Sequence, residues 1–369
     1  MGEAKRKLEK RKEMLLSCAG VQTMAGKVQV RWETESAATP MGQLAYFIQF
    51  LHLTGLWSRW LAGCPLTYGS PNAPSIADVL GTWMLSILSG HRRYSHVATI
   101  RGDGVNPGLL EMSKVVSADA LRKGLLRIPE AAGTTWLDGH LDESTAALLD
   151  AAWILDTDTT VKVLYGHQEG AVVAYNPKKL SFIEANRKRG KEITGYEYAV
   201  LVTNTSYEIL SLGQLYRDRA DAENAFDELK NQWGWGGYTT HDLHRCQLAA
   251  RAVALIYNWW SLFIRLANPE ARREAITSRP WLMTSVGRKT EHAGQTTVTL
   301  TGLHAHFAQA RAALPRVSAL LQGWVAETAE QLPDPSVWHL VCDHLKRILA
   351  GIDGPPTHRL LGNYAHGVG

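Results

Sequence analysis

The spacing of hydrophobic positions changes twice along the chain. From about residue 40 to 150 it is helical: in "SIADVLGTWMLSIL", Val79, Trp83 and Ile87 recur every four residues, and Ser75 with Asp78 has the spacing of a capping box. From about 150 to 205 it shortens, and "WILDTDTTVKVLYG", "GAVVAY", "LSFIE" and "YEYAVLVTN" predict four strands separated by Gly, Asn or charged turns. Helical spacing returns at about 214. The apolar run Ala252 to Ile264, clamped between Arg251 and Arg265, is too short to cross a bilayer and predicts a buried helix. Near the end, Ser336 opens "SVWHLVCDHLKRILA" and Gly351 closes it. The expected organisation is a basic arm or helix over 1–39, a helical N-terminal domain over 40–145, a strand-bearing core over 146–240, a helical C-terminal domain over 241–352 and a tail over 353–369.

Charge narrows the functional classes. The formal net charge is +4, and the first 14 residues carry six bases against three acids, so the rest of the chain is close to balance. Nucleic-acid binding must then come from local patches. Lys178, Lys179, Arg187, Lys188, Arg189 and Lys191 form one such patch, with Glu184 the only acid among them, although a solvated hairpin accounts for it equally well. The N-terminus lacks an apolar stretch of signal-peptide length, which predicts a cytoplasmic protein. Cys18, Cys64, Cys246 and Cys342 are scattered, as suits reduced thiols, and zinc is not expected.

The densest candidate chemistry lies in "LYRDRADAENAFDELKNQWGWGG", Leu215 to Gly237. With Tyr216 at zero on a helical wheel, Arg219 lies near about 300°, Lys230 about 320°, Glu223 about 340° and Asp227 about 20°, one charged stripe. Leu215, Ala222, Ala225, Phe226 and Leu229 occupy the adjoining sector, so they are the expected buried side. A carboxylate beside bases on a rigid helix suits phosphoryl chemistry, the acid binding a divalent cation and the bases holding flanking phosphates. A surface helix with i,i+4 ion pairs explains the same pattern without DNA. In "WILDTDTTVKVLYG", alternation puts Ile154, Asp156 and Asp158 on one strand face, where adjacent acids are costly unless paired, metal-bound or already in solvent.

Other residues admit a structural role. Trp233 and Trp235 can stack on unpaired bases or pack a tight glycine turn, whereas Trp259 and Trp260 read as core. His241 and His244 have helical i,i+3 spacing but no third ligand, so a metal is not expected there, and His241 reads as a cap for the adjoining helix.

Tyr216-x2-Arg219-x3-Glu223-x6-Lys230 resembles the YREK signature of bacterial insertion-sequence DDE transposases. "LDTDTTVKVLYGHQEGAVVAYNPKK", "ALIYNWWSLFIRLANP" and "EAITSRPWLM" are similar to the group called transposase DDE domain group 1, and the likeness runs from about residue 40 to 350. The resemblance implies a mixed α/β chain whose catalytic core is ribonuclease-H-like, flanked by helical N- and C-terminal regions. It implies cut-and-paste chemistry in which acids hold Mg²⁺ for cleavage and transfer of DNA strands. The family's first catalytic Asp is followed two positions later by Thr or Ser, which selects Asp158 with Thr160 and leaves Asp156 as a second candidate. Glu223 matches the last acid, so Asp158 and Glu223 are the implied metal ligands. Tyr216, Arg219 and Lys230 match residues that grip phosphates at the transposon end. The implied partner is double-stranded DNA with terminal inverted repeats, bound by a homodimer in the bacterial nucleoid.

One family element is missing. Between Thr159 and Arg217 there is no aspartate to serve as the middle acid; Glu169, Glu184, Glu192, Glu197 and Glu208 are the acids present, none in the family's middle motif. "AVVAYNPKK" matches the family to Lys179, whereas the stretch from Leu180 to Arg219 resembles a segment just before the last catalytic helix. The core is therefore expected to be incomplete, lacking a strand beside the first one. "RGDG" at 101–104 lies upstream of the first Asp and is not the missing motif. The expectation is a defective transposase; the alternatives are a non-catalytic end-binding remnant that inhibits intact transposase, and a helical protein with no DNA role.

Overall fold

The computed structural model describes residues 18–33, 36–148, 154–155, 202–203, 208, 220–330 and 336–350, with backbone alone for 18–19, 154–155, 202–203, 220–223, 330 and 350. The first half contains helices α1 (Leu44–Leu53), α2 (Leu56–Ala62), α3 (Ile76–Leu88), α4 (Ala118–Leu126) and α5 (Glu130–Thr145). The second contains α6 (Ala220–Gln232), α7 (Leu243–Ala267), α8 (Ala275–Leu282), α9 (Phe307–Glu330) and α10 (Val337–Ala350). No helix among the described residues is long and apolar enough to cross a membrane.

Helix α3 starts where its capping box predicts. Ser75 Oγ accepts from the Asp78 amide at 2.9 Å, and Asp78 Oδ2 accepts from the Ser75 amide at 3.3 Å. Asp78 also reaches across the fold: its buried carboxylate accepts from the Ser113 amide (2.7 Å), Ser113 Oγ (2.8 Å) and the Lys114 amide (3.1 Å). Burial alone would raise its pKa, but the bonds from Ser113, Lys114 and Ser75 outweigh it and hold the carboxyl below its ordinary value.

The helical regions before and after the strand segment share one hydrophobic core. Helix α7 lies along α5 and also touches α1, α3 and α6. Its Trp259 meets Trp60 of α2 edge-on at 5.5 Å, and Trp60 stacks on Trp136 of α5 at 5.7 Å. Next to them, Trp260 and Phe263 close on Phe47 of α1 at 5.1 and 5.4 Å. Trp259 and Trp260 are fully buried, as their apolar helix predicts. Each such ring pair contributes about 0.5–1.5 kcal/mol beyond the burial itself.

Three strand features depart from the expected pattern. Strands β1 (Cys18–Thr23) and β2 (Gly26–Arg31) make an exposed antiparallel hairpin where an arm or helix was expected. Strand β3 (Ala38–Thr39) joins the C-terminal region instead of staying with the arm. There β6 (Gly287–His292) and β7 (Gln295–Leu300) interrupt the helices as a hairpin, and β3 pairs with β6 in the register Ala38↔Arg288. The turn between them sets Ala293 at φ 48° and Gly294 at φ 78°, the two positive values of a hairpin turn whose twist matches the strands. Of the expected core strands, β4 (Ile154–Leu155) and β5 (Val202–Thr203) are described, paired antiparallel as Ile154↔Thr203 and Leu155↔Val202.

Asp78→Ala should destabilise the protein by about 1–3 kcal/mol, because it removes the acceptor that part-buried donors of two segments share. Asp119→Ala, at an exposed pair with Arg122 and Lys123 on α4, should leave the midpoint close to that of the wild type. Denaturant midpoints compare the two.

Candidate functional site

The helix that carries Glu223 and Lys230 is docked by a polar face. Glu228 of α6 is 2% exposed, and its carboxylate accepts from Trp233 Nε1 (3.0 Å), the Ala275 amide (2.9 Å) and the Arg272 guanidinium. One turn on, Gln232 Oε1 accepts from the Ile276 amide at 2.7 Å and Gln232 Nε2 donates to Glu274 at 2.6 Å. Ala275 and Ile276 begin α8, so two side chains of α6 satisfy amides that the first turn of a helix leaves unpaired, and a carboxylate is the group that end favours. Burial pushes the Glu228 carboxyl above its ordinary pKa, against the pull of Trp233, Arg272 and the Ala275 amide.

This anchorage shifts the buried side of α6. Phe226, expected to be buried, is 43% exposed, while Glu228 takes the inward position at about 120° on the wheel, roughly 150° from the charged stripe. Hydrogen bonds to a helix end some 47 positions away, which local periodicity cannot register, outweigh the burial of one ring. Asp227 is exposed and bonded to Asn231 at 2.6 Å, and the Lys230 ammonium lies 6.0 Å over the Phe226 ring.

The C-terminal end of α6 is held as firmly. Arg92 donates to the Asn231 carbonyl and Arg279 Nη1 to the Gln232 carbonyl at 2.7 Å, two cations on the negative end of the helix. Arg279 also lies 4.3 Å over the Trp233 ring, and burial lowers its pKa to about 10. Gly234 has φ 70°, and a Cβ there would sit 2.4 Å from the His91 carbonyl oxygen, so the "WGWGG" turn lies against the 89–93 loop because it lacks side chains. Trp233 is fully buried, which leaves it to packing and not to base stacking; Trp235 is half-buried against the same core.

A polar chain continues from this turn. Tyr238 Oη lies 2.7 Å from Ser86 Oγ, Ser86 Oγ is 2.9 Å from His91 Nδ1, and Thr99 Oγ1 is 3.1 Å from His91 Nε2. Burial, then the charges of His96 and Arg279, lowers the His91 pKa to about 4 and keeps the ring neutral. The cap of α7 is Asp242, whose carboxylate accepts from the Arg245 amide at 3.1 Å, in the place where His241 was expected. His244 Nε2 lies instead against the Ile128 carbonyl at 3.1 Å. Asp103 of "RGDG" is buried and accepts from Thr39 Oγ1, the Val105 and Asn106 amides and Asn106 Nδ2 at 2.8–2.9 Å, a structural turn.

Asp156, Asp158, Tyr216 and Arg219 lie outside the described residues, as does the basic patch over 178–191, and Glu223 is placed by its backbone on α6. Among the described residues no group of three or more His, Cys, Asp or Glu is placed to hold a metal ion. Residues 138–259, about a third of the chain, match the family model described as Transposase DDE domain. The match supports a DDE transposase. It opens in α5, closes at Trp259 in the core of α7, and contains every expected catalytic and DNA-binding residue together with Glu228 and the "WGWGG" turn. No curated protein and no solved structure matches the chain.

Two substitutions test the anchorage. Glu228→Ala should cost about 3 kcal/mol, since it removes the buried acceptor shared by Trp233, Arg272 and the start of α8, and Glu228→Gln should cost less; denaturant unfolding measures both. His91 predicts a pH dependence. Its folded pKa is below the unfolded value, so the stability it contributes is complete above about pH 6.5 and is lost as pH falls towards about 4. Thermal unfolding across that window should show a smaller drop in His91→Gln than in the wild type.

Proposed function

We propose that the chain is a cut-and-paste DDE transposase in which Tyr216 and Arg219, just ahead of α6, and Glu223 and Lys230 on it form a stripe that faces a transposon end, and that this copy binds duplex DNA without cutting it. The observation that carries the reading is the docking of α6 through Glu228 and Gln232, on the side away from the stripe and within the stretch that matches the transposase DDE domain. A helix held this way would offer Lys230 to a phosphate without first having to be ordered, which supports the reading. The partner is double-stranded DNA with terminal inverted repeats, engaged by a homodimer, and the core is an incomplete ribonuclease-H-like sheet to which β4 and β5 belong.

Asp158 and Glu223 are hard oxygen donors suited to Mg²⁺, which when bound would stabilise charge on a displaced phosphodiester oxygen. Two such acids do not complete a two-metal centre. Its ions repel one another across about 3.5–4 Å unless a bridging carboxylate holds both, and no aspartate lies between Thr159 and Arg217 to supply one. Asp156, Glu169 and Asp227 are the nearby acids in sequence, and Asp227 is already bonded to Asn231. The chain's own contribution is thus grip and orientation: Arg219 and Lys230 on phosphates, Tyr216 beside them.

Purified chain mixed with end-bearing duplex and Mg²⁺ or Mn²⁺ should retard the DNA in a gel and leave it unnicked. Metal-dependent nicking that disappears in Glu223→Ala would contradict the inactive assignment and place a substitute acid in the missing role.

A further inference from the structure

Residues 79–102 contain no Asp or Glu, and the exposed end of this run, 89–102, carries Arg92, Arg93 and Arg101. The loop is part of the anchorage of α6: Arg92 donates to the Asn231 carbonyl, its own carbonyl accepts from the Tyr238 amide at 2.8 Å, and Gly234 lies against His91. Arg92 is therefore occupied at the end of the helix. Arg93 and Arg101 are exposed and make no ion pair among the described residues. They flank the helical turns 94–100, eight positions apart in sequence.

The acids around the loop are held mostly by other partners. Asp103, next in sequence, is buried and satisfied by Thr39, Val105 and Asn106. On α4, which packs against the turn at 94–96, Asp119 is paired with Arg122 and Lys123. Asp242 is paired with Arg245, whereas Glu274 and Asp227 are hydrogen-bonded to the neutral amides of Gln232 and Asn231 and keep their charge. Three arginines in a run without Asp or Glu give the loop a local positive charge, which attracts a polyanion.

We propose that the 89–102 loop extends the DNA-facing surface of α6 onto the N-terminal helical region, with Arg93 and Arg101 contacting backbone phosphates of the same duplex that Lys230 meets. The inference rests on the DNA-binding reading above. Contacts of this kind position the duplex and carry no base sequence.

The test is the salt dependence of binding to a fluorescein-labelled duplex, measured by anisotropy on the full chain. Arg93→Ala/Arg101→Ala should flatten the slope of log K against log salt by about 2, about 0.9 for each phosphate no longer neutralised, and Arg93→Lys/Arg101→Lys should restore it. Arg311→Ala/Arg347→Ala, which removes two exposed arginines from α9 and α10, should leave the slope as in the wild type. All of these positions are exposed, and unchanged thermal unfolding checks that each variant folds. A wild-type slope in Arg93→Ala/Arg101→Ala, or an equal flattening in Arg311→Ala/Arg347→Ala, overturns the loop's role while the DNA-binding reading stands. Wild-type binding that ignores salt overturns both.

Discussion

One buried carboxylate sets the orientation of the candidate DNA-binding helix. Glu228 joins four parts of the chain at a single group: α6, the indole of Trp233 in the adjoining turn, the Arg272 guanidinium and the first amide of α8. An ionised carboxylate in a buried place is tolerated only when its acceptor sites are filled, and here all the donors come from elements that would otherwise have to be fixed separately. Gln232 repeats the contact one turn later, and Arg92 and Arg279 close the end of the helix. The rotation of α6 about its axis is set by these bonds, and with it the side on which Lys230 lies.

The anchorage works because the elements it is attached to are rigid. Helix α8 packs its Ser278 under Trp260, whose Nε1 donates to Ser278 Oγ at 3.0 Å; Trp260 packs on Phe47 of α1, and its neighbour Trp259 on Trp60 of α2, within the hydrophobic core cluster that also holds Trp136 of α5. A chain of contacts thus runs from the N-terminal helices through that cluster to α8 and on to α6. The helices before and after the strand segment therefore act as one support for α6, although they are far apart in sequence.

The legible parts were those whose determinants lie close together in the sequence. The start of α3 could be read because Ser75 and Asp78 cap within one turn, and the burial of Trp259 and Trp260 because their helix is apolar over several turns. Of the stripe expected from helical spacing, the side chains of Asp227 and Lys230 are described, and Tyr216 and Arg219 lie outside the described residues. The facing of α6 was not legible: Phe226 looks like a core residue and Glu228 a surface one until Arg272 and Ala275, more than forty positions on, are brought beside them. The β6–β7 hairpin did leave a trace, since "TTVTL" alternates and "AG" is a turn, but the helical texture on both sides masked it. For Asp158 and Asp156 the sequence pattern and its family resemblance remain the basis of the assignment.

The function proposed for this chain depends on α6 holding its stripe ready for phosphates. The most direct measurement is the salt dependence of duplex binding by Arg219→Ala/Lys230→Ala against the wild type. Weaker binding is expected, with a slope reduced by about 2, because two phosphates are left to their counterions. An unchanged slope, with the variant folded, would return α6 to the role of a solvated surface helix and contradict the proposed function.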